Sequence, residues 1–319
     1  MDDPDVHPVV SETARDIESM ERRGAAAIAD AAASALATQA RESEAADADA
    51  LHAELRAAAR LLADTRPTAV TLPNALRFVL DGVPTDDVDS LREAVTDRAS
   101  TFRDRIDRMQ ADLGRIGAGR LRDGDVLMTH CHSTDALAVV EAAVEQGKGL
   151  SAIVTETRPR NQGHITAAKL REFGVDVTLI VDGASRRYLG DVDHVLVGAD
   201  SIAADGSVIN KIGTSGLAVL ARDRGTPITV AAGTIKLDPA TLYGGAVEIE
   251  MRDESEVIDA AARDEIGDIA VENPAFDVTP PRYVDAIVTE RGQFPPESIV
   301  TLMRELYGEG APEPWLERA

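Results

Sequence analysis

Cysteine is nearly missing from this chain: Cys131 is the only one in 319 residues. A single thiol excludes an internal disulfide framework and a thiolate-rich zinc site. Lysine is almost as scarce, present only as Lys148, Lys169, Lys211 and Lys236. Lysine and arginine together number 33 against 56 acidic residues, a formal charge of −23 that repels nucleic acid. Aromatics make up 3% of the residues, so the core must be packed by Ala, Val, Ile and Leu. No run of about 18 apolar residues occurs, so no membrane span is expected. Met1-Asp2-Asp3-Pro4-Asp5 is acidic and lacks the basic-then-apolar order of a signal peptide, which points to a cytoplasmic protein. No Walker loop and no glycine-rich dinucleotide fingerprint is found, which argues against a nucleoside triphosphatase and a dehydrogenase. The acidic side chains are spread along the whole chain, as on a surface built for high salt.

Residues 1–120 read as a helical domain. Ser11-Glu12-Thr13 can cap a helix running through Ile17, Met20 and Ile28 to Leu36. A second helix covers Leu51 to Leu62 and stops before Pro67. A third starts at Leu72-Pro73, and a fourth, long and charged, covers Val88 to Ile116. The pattern changes at Leu121, and residues 121–319 read as a Rossmann-like α/β domain. Strands are expected at 125–131, 150–156, 176–182, 194–199, 227–232 and 285–290, and helices at 133–147, 165–173, 209–224 and 296–307. Leu237 to Tyr283 reads as irregular. The alternation predicts a doubly wound, mostly parallel sheet in the order 3-2-1-4-5-6. In that order the strand ending at Cys131 lies beside the strand ending at Asp200.

Cys131 falls where a strand hands over to the helix starting near Ser133-Thr134-Asp135. Ligands of α/β proteins gather there, and a thiol facing a helix N-terminus is expected to have its pKa lowered from about 8.5. Asp200 in a dry crevice would have its pKa raised and serve as a proton donor. The pair suits acid–base chemistry. His130 and His132, at alternating strand positions, should point away from Cys131 as rim or packing histidines; no further ligands complete a metal site. Arg23-Gly24-Ala25-Ala26, Arg66 and the loop Arg158-Pro159-Arg160-Asn161-Gln162-Gly163 are candidate anion clamps. Asn210-Lys211, read as opening a helix, and Lys236, just past the fifth strand, fall where ligands are expected.

These pieces together carry a resemblance. Arg23-Gly24-Ala25, Thr65-Arg66-Pro67, Thr129-His130-Cys131-His132-Ser133, Glu156-Thr157-Arg158-Pro159, Gly198-Ala199-Asp200-Ser201, Asn210-Lys211-Ile212-Gly213-Thr214 and Asn273-Pro274-Ala275-Phe276-Asp277 are similar to one family. It includes the α, β and δ subunits of translation initiation factor 2B, the methylthioribose-1-phosphate isomerases and the archaeal ribose 1,5-bisphosphate isomerases. His130-Cys131-His132-Ser133 and Gln162-Gly163-His164-Ile165-Thr166-Ala167 resemble the bisphosphate branch.

That resemblance implies isomerisation of α-D-ribose 1,5-bisphosphate to D-ribulose 1,5-bisphosphate in nucleoside salvage. Cys131 and Asp200 match the catalytic pair. Arg23, Gly24, Ala25, Ala26, Arg66, His132, Ser133, Thr134, Asn210, Lys211 and Lys236 match substrate-binding positions. It also implies dimer-based homo-oligomers, often hexamers, AMP as an activator, and no metal or redox cofactor. Ala26 stands where relatives commonly have glycine, Thr134 where some carry a basic residue, and Gly233 where glutamate is common. The competing readings are a methylthioribose-1-phosphate isomerase, whose pocket should be more apolar, and a non-catalytic regulatory subunit of the translation-factor type.

Overall fold

The computed structural model describes residues 6–19, 21–22, 24–66, 70–84, 86–308 and 313–316. Met20, Arg23 and Pro67 lie outside them. Five helices come first: α1 (Pro8–Glu18), α2 (Ala25–Glu42), α3 (Ala48–Ala63), α4 (Thr71–Leu80) and α5 (Val88–Ala118). Then follow β1 (Val126–Thr129), α6 (Thr134–Glu145), β2 (Ser151–Thr155), α7 (Gln162–Glu172), β3 (Asp176–Ile180), α8 (Ser185–Tyr188) and β4 (His194–Val197). The chain continues through β5 (Ser201–Ile202), β6 (Val208–Lys211), α9 (Thr214–Arg224), β7 (Ile228–Ala231) and α10 (Ala260–Ile266). It closes with β8 (Phe276–Thr279), β9 (Ala286–Thr289), β10 (Gly292–Phe294) and α11 (Ile299–Tyr307). No described helix is long and apolar enough to cross a membrane.

Packing divides the chain into Met1–Arg108 with Glu309–Ala319, and Met109–Gly308. The division falls inside α5 rather than at Leu121, because Leu113 and Ala118 are buried in the core of the second unit. In the first unit the expected helix from 11 to 36 is two helices. Pro8 takes the first position of α1 and the His7 ring accepts from the Val9 N–H, so Ser11 to Thr13 lie inside the helix and do not cap it. Gly24, at φ +91°, opens α2 with a backbone that side-chain-bearing residues avoid. Leucines and isoleucines such as Ile17, Ile28, Leu36, Leu55 and Leu76 interleave with alanines, among them Ala32, Ala33 and Ala59, in this core. The lone tryptophan, Trp315, is 3% exposed and lies under the Arg77 guanidinium, which also bonds Asn74 and Glu313.

The second unit holds a seven-stranded sheet in the order β10-β9-β7-β4-β1-β2-β3, parallel except for β10. Its first six strands by chain order realise the expected 3-2-1-4-5-6 arrangement. Neighbouring residues face opposite sides: Met128, Ile153, Val195, Val197, Val230 and Ile287 enter one core, Leu127, Val154, Leu196, Ala231 and Val288 the other. A sheet buried on both faces needs such uninterrupted apolar runs. A second, antiparallel sheet, β5-β6-β8, was not expected. It takes Val208 to Lys211 into a strand, so Asn210 and Lys211 do not open a helix; α9 begins only after Gly213, at φ +104°. The stretch read as irregular also contains α10 and β8.

Candidate active site

β1 pairs with β4, Leu127 opposite His194 and Met128 opposite Val195. The two strands leave the sheet at one edge, one into Cys131 and the other into Asp200. The strand alternation ends at Thr129, and Cys131 has φ +71°, in the left-handed region that costs a side-chain-bearing residue about 1–2 kcal/mol. The extended geometry expected across His130 to His132 therefore does not hold. Two buried threonines clamp the turn. The Cys131 N–H donates to Thr157 Oγ1 at 2.8 Å, and the Thr166 hydroxyl donates to the Cys131 carbonyl at 2.8 Å. Thr157 is itself left-handed, at φ +64°; its N–H and that of Arg158 donate to the two carboxylate oxygens of Asp182, at 2.7 and 2.8 Å.

His130 ties three elements together. Its Nε2 lies 2.8 Å from the Ile212 carbonyl and its Nδ1 2.6 Å from Thr155 Oγ1. A carbonyl can only accept, so Nε2 carries the proton and the threonine hydroxyl donates to Nδ1. Burial lowers the His130 pKa, with Lys211 adding to it and the Ile212 carbonyl and Asp182 opposing. A side chain on Gly213 would press within 3.0 Å of this ring. His132 pairs with Thr166 Oγ1 at 3.1 Å; burial, then Lys169, lowers its pKa.

The Cys131 thiol is 7% exposed and its pKa is pushed up to about 11, against the expected lowering. Burial is the largest cause and the Asp200 carboxylate the next; the His132 backbone N–H, Lys211 and Arg252 work the other way without prevailing. Asp200 is exposed, not enclosed in a dry crevice, and its N–H is fixed by the Ile209 carbonyl of β6. Lys211 is buried, its ammonium 2.9 Å from the Ala275 carbonyl and 4.6 Å from the Phe276 ring centre. Burial, then Arg252, lowers its pKa; Cys131 and Asp200 oppose, and Arg160 adds to the lowering. Lys236 ion-pairs with the buried Asp135 at 2.9 Å. Burial pulls its pKa down, but Asp135, Asp200 and Cys131 together outweigh that and raise it. Sulfur, carboxylate and both lysines thus share one electrostatic neighbourhood.

The remaining candidates differ in role. Ser133 caps α6 through the Ala136 N–H, and a side chain on Gly198 would come within 2.2 Å of its hydroxyl. Thr134 is exposed, its carbonyl accepting from Gln110. Asn210 is held by Thr214 Oγ1 at 2.9 Å. The Gly233 N–H donates to Asp135, and Met109 fills the space a side chain there would need. Gly24, Ala25, Ala26 and Arg66 belong to the first unit, the first three at the start of α2 and Arg66 half-buried after α3; Arg23 is outside the described residues. Sequence reasoning missed Arg252, Thr157, Thr166 and Asp135. An arginine in a stretch without periodicity carries no signal of its place, and nothing in a threonine's neighbours announces a left-handed backbone.

A thiol and a carboxylate thus stand just past the ends of adjacent strands, with Lys211 and Lys236 within electrostatic range of both. A sequence model of the Initiation factor 2 subunit family matches residues 21–296, and the chain belongs to that family. A ribose 1,5-bisphosphate isomerase of Haloferax volcanii is 70% identical over 317 residues, 99% of this chain and 98% of that protein. One of Pyrococcus furiosus is 46% identical over 96% of this chain and 97% of its own length. Among solved structures, the translation initiation factor eIF-2B of Pyrococcus horikoshii OT3 has a TM-score of 0.78 and 31% identity, covering 92% of this chain and 99% of that one.

Proposed function

We propose that this protein is an isomerase that converts α-D-ribose 1,5-bisphosphate to D-ribulose 1,5-bisphosphate by proton transfer at Cys131 and Asp200. The observation that carries the reading is their placement at the ends of adjacent parallel strands, each within electrostatic reach of Lys211 and Lys236. The names of the Haloferax and Pyrococcus relatives, which match over almost the whole chain, support the substrate.

The raised pKa makes Cys131 a neutral thiol at rest. Passing its proton to Asp200 leaves a thiolate beside Lys211 and Arg252 and a neutral acid facing the sugar oxygens. The thiolate takes the proton from C2 while Asp200 protonates the ring oxygen leaving C1, which opens the ring to an enol. The thiol then returns its proton to C1 and the C2 hydroxyl gives its own to Asp200, so the ketone forms; handing that proton from Asp200 back to the thiolate restores the resting pair. No atom is gained or lost. Each such group contributes about 10²–10⁴-fold. Cys131→Ser and Asp200→Asn are therefore expected to lower kcat at least about 100-fold with the bisphosphate; near-normal turnover in either removes that residue from the mechanism.

Methylthioribose 1-phosphate, with one phosphate and an apolar thioether, is the competing substrate. The cleft beside Lys211 is lined by Arg160, Arg252, Glu256 and Asn273, which favours the more highly charged sugar. A regulatory subunit would show no turnover with either, so assaying both sugars side by side separates the three. The same reading brings activation by AMP and a homo-oligomer built from dimers, checked by adding AMP to the assay and by light scattering. We read the net charge as adaptation to high salt.

A further inference from the structure

One cluster of charge remains outside the acid–base pair. Between the loop after β2 and the segment leading into β8 lies a cleft bounded by Arg160, Lys211, Arg252, Glu256 and Asn273. On a molecule of charge −23 the cleft carries three cations against one lining carboxylate. Glu250 lies 3.2 Å from Arg252 Nε and balances a second cation. Lys211, by contrast, is met by a carbonyl and a ring face. A buried ammonium whose close contacts are neutral is ready for an anion.

Arg160 shows how that anion would be held. Its Nε and a terminal nitrogen grip the two oxygens of Glu256 at 2.9 and 2.5 Å, the two-pronged geometry in which guanidinium also binds phosphate. Arg160 draws Glu256 below its usual range, so the pair is ionised on both sides. Lys211 and Arg252 both act on the Cys131 charge, so the cleft lies within electrostatic range of the sulfur.

From this we infer that the cleft seats one phosphate of the sugar bisphosphate, with Arg160 and Arg252 as phosphate ligands beside Lys211. Glu256 occupies Arg160 in the absence of substrate and yields it to the phosphate. The inference rests on the function proposed above and adds two binding residues and an internal competitor to it. An anion held here fixes one end of the sugar while Cys131 reaches its carbon.

The test measures inorganic phosphate binding by ³¹P line broadening, and KM for ribose 1,5-bisphosphate, in the full-length protein and in Arg160→Gln, Arg252→Gln, Arg252→Lys and Glu256→Gln. Loss of one charge-assisted contact should weaken phosphate binding by about tenfold or more in each Arg→Gln variant, with KM rising in step. Arg252→Lys keeps the charge and recovers part of the loss, which a misfolded variant does not. Glu256→Gln frees Arg160 and tightens phosphate binding. Equal phosphate affinity in all variants overturns the inference, and so does weakening by Glu256→Gln, which would make the ion pair a structural clasp. Turnover of the bisphosphate with a KM indifferent to both arginines sinks the subsite and leaves the function standing. Arginine-dependent phosphate binding without turnover does the reverse.

Discussion

Cys131 reverses a general expectation about thiols near helix N-termini. Two residues separate it from the first residue of α6, yet burial and Asp200 together outweigh the favourable charges, and the pKa stands at about 11. Because this is the only cysteine, its ionisation can be read without interference. The thiolate is the nucleophile, so below the pKa its population rises about tenfold per pH unit. Alkylation by iodoacetamide should accordingly climb from pH 7 to 10 without levelling. Asp200→Asn removes a charge that raises the pKa and should move the whole profile to lower pH; Lys211→Gln removes a charge that lowers it and should move the profile to higher pH. Absorbance of the thiolate at 240 nm checks both directions. A plateau near pH 8 in the parent protein would contradict the burial argument.

Between elements, the site depends on close approach. Gly163, in the first turn of α7, sits so near the end of β2 that an added Cβ would lie 1.8 Å from the Thr155 carbonyl oxygen. No backbone atom can yield that much without moving α7, and α7 carries Thr166, which holds the Cys131 carbonyl. Gly163→Ala should therefore destabilise the fold by the roughly 1–3 kcal/mol typical of overpacking or more, seen as a lower melting temperature, and also reduce kcat. Thr166→Val, which deletes the hydroxyl at nearly constant volume, separates the two effects: a similar fall in kcat with a smaller loss of stability. The parallel core was legible because Val, Ile and Leu runs such as Ile153-Val154 and Val195-Leu196-Val197 must be strands buried on both faces. Asp200 was legible through strand order alone. The small sheet was not: β5 has two residues, and Asn210-Lys211 carries polar side chains whose burial only Thr214, Ala275 and Phe276 explain. Arg252 escaped for a similar reason, since its backbone is fixed by Asn273 and its guanidinium lies over the Phe276 ring, both distant in sequence.

Taken as a whole molecule, the chain must fold against its own charge. Exposed ion pairs such as Lys169–Glu172, Arg171–Asp176 and Arg186–Asp223 contribute about 0–1 kcal/mol each, and salt weakens them. They cannot offset repulsion among 56 acidic residues faced by 33 basic ones. Salt does both things at once, and the charge imbalance decides the sign: screening removes more repulsion than attraction. The screening length falls from about 10 Å at 0.1 M to 3 Å at 1 M. If screening is the cause, the melting temperature should rise steeply up to about 1 M KCl and flatten beyond, and KCl and NaCl at equal ionic strength should give the same curve. A rise that stays linear to several molar and differs between salts would point instead to exclusion of ions from apolar surface. The substrate site should respond less, because partly buried charges are screened less than exposed ones. Over the range in which the melting temperature climbs, KM for the bisphosphate should rise only modestly; a rise as steep as that of an open surface site would mean that Lys211 and its neighbours are not enclosed around the phosphate.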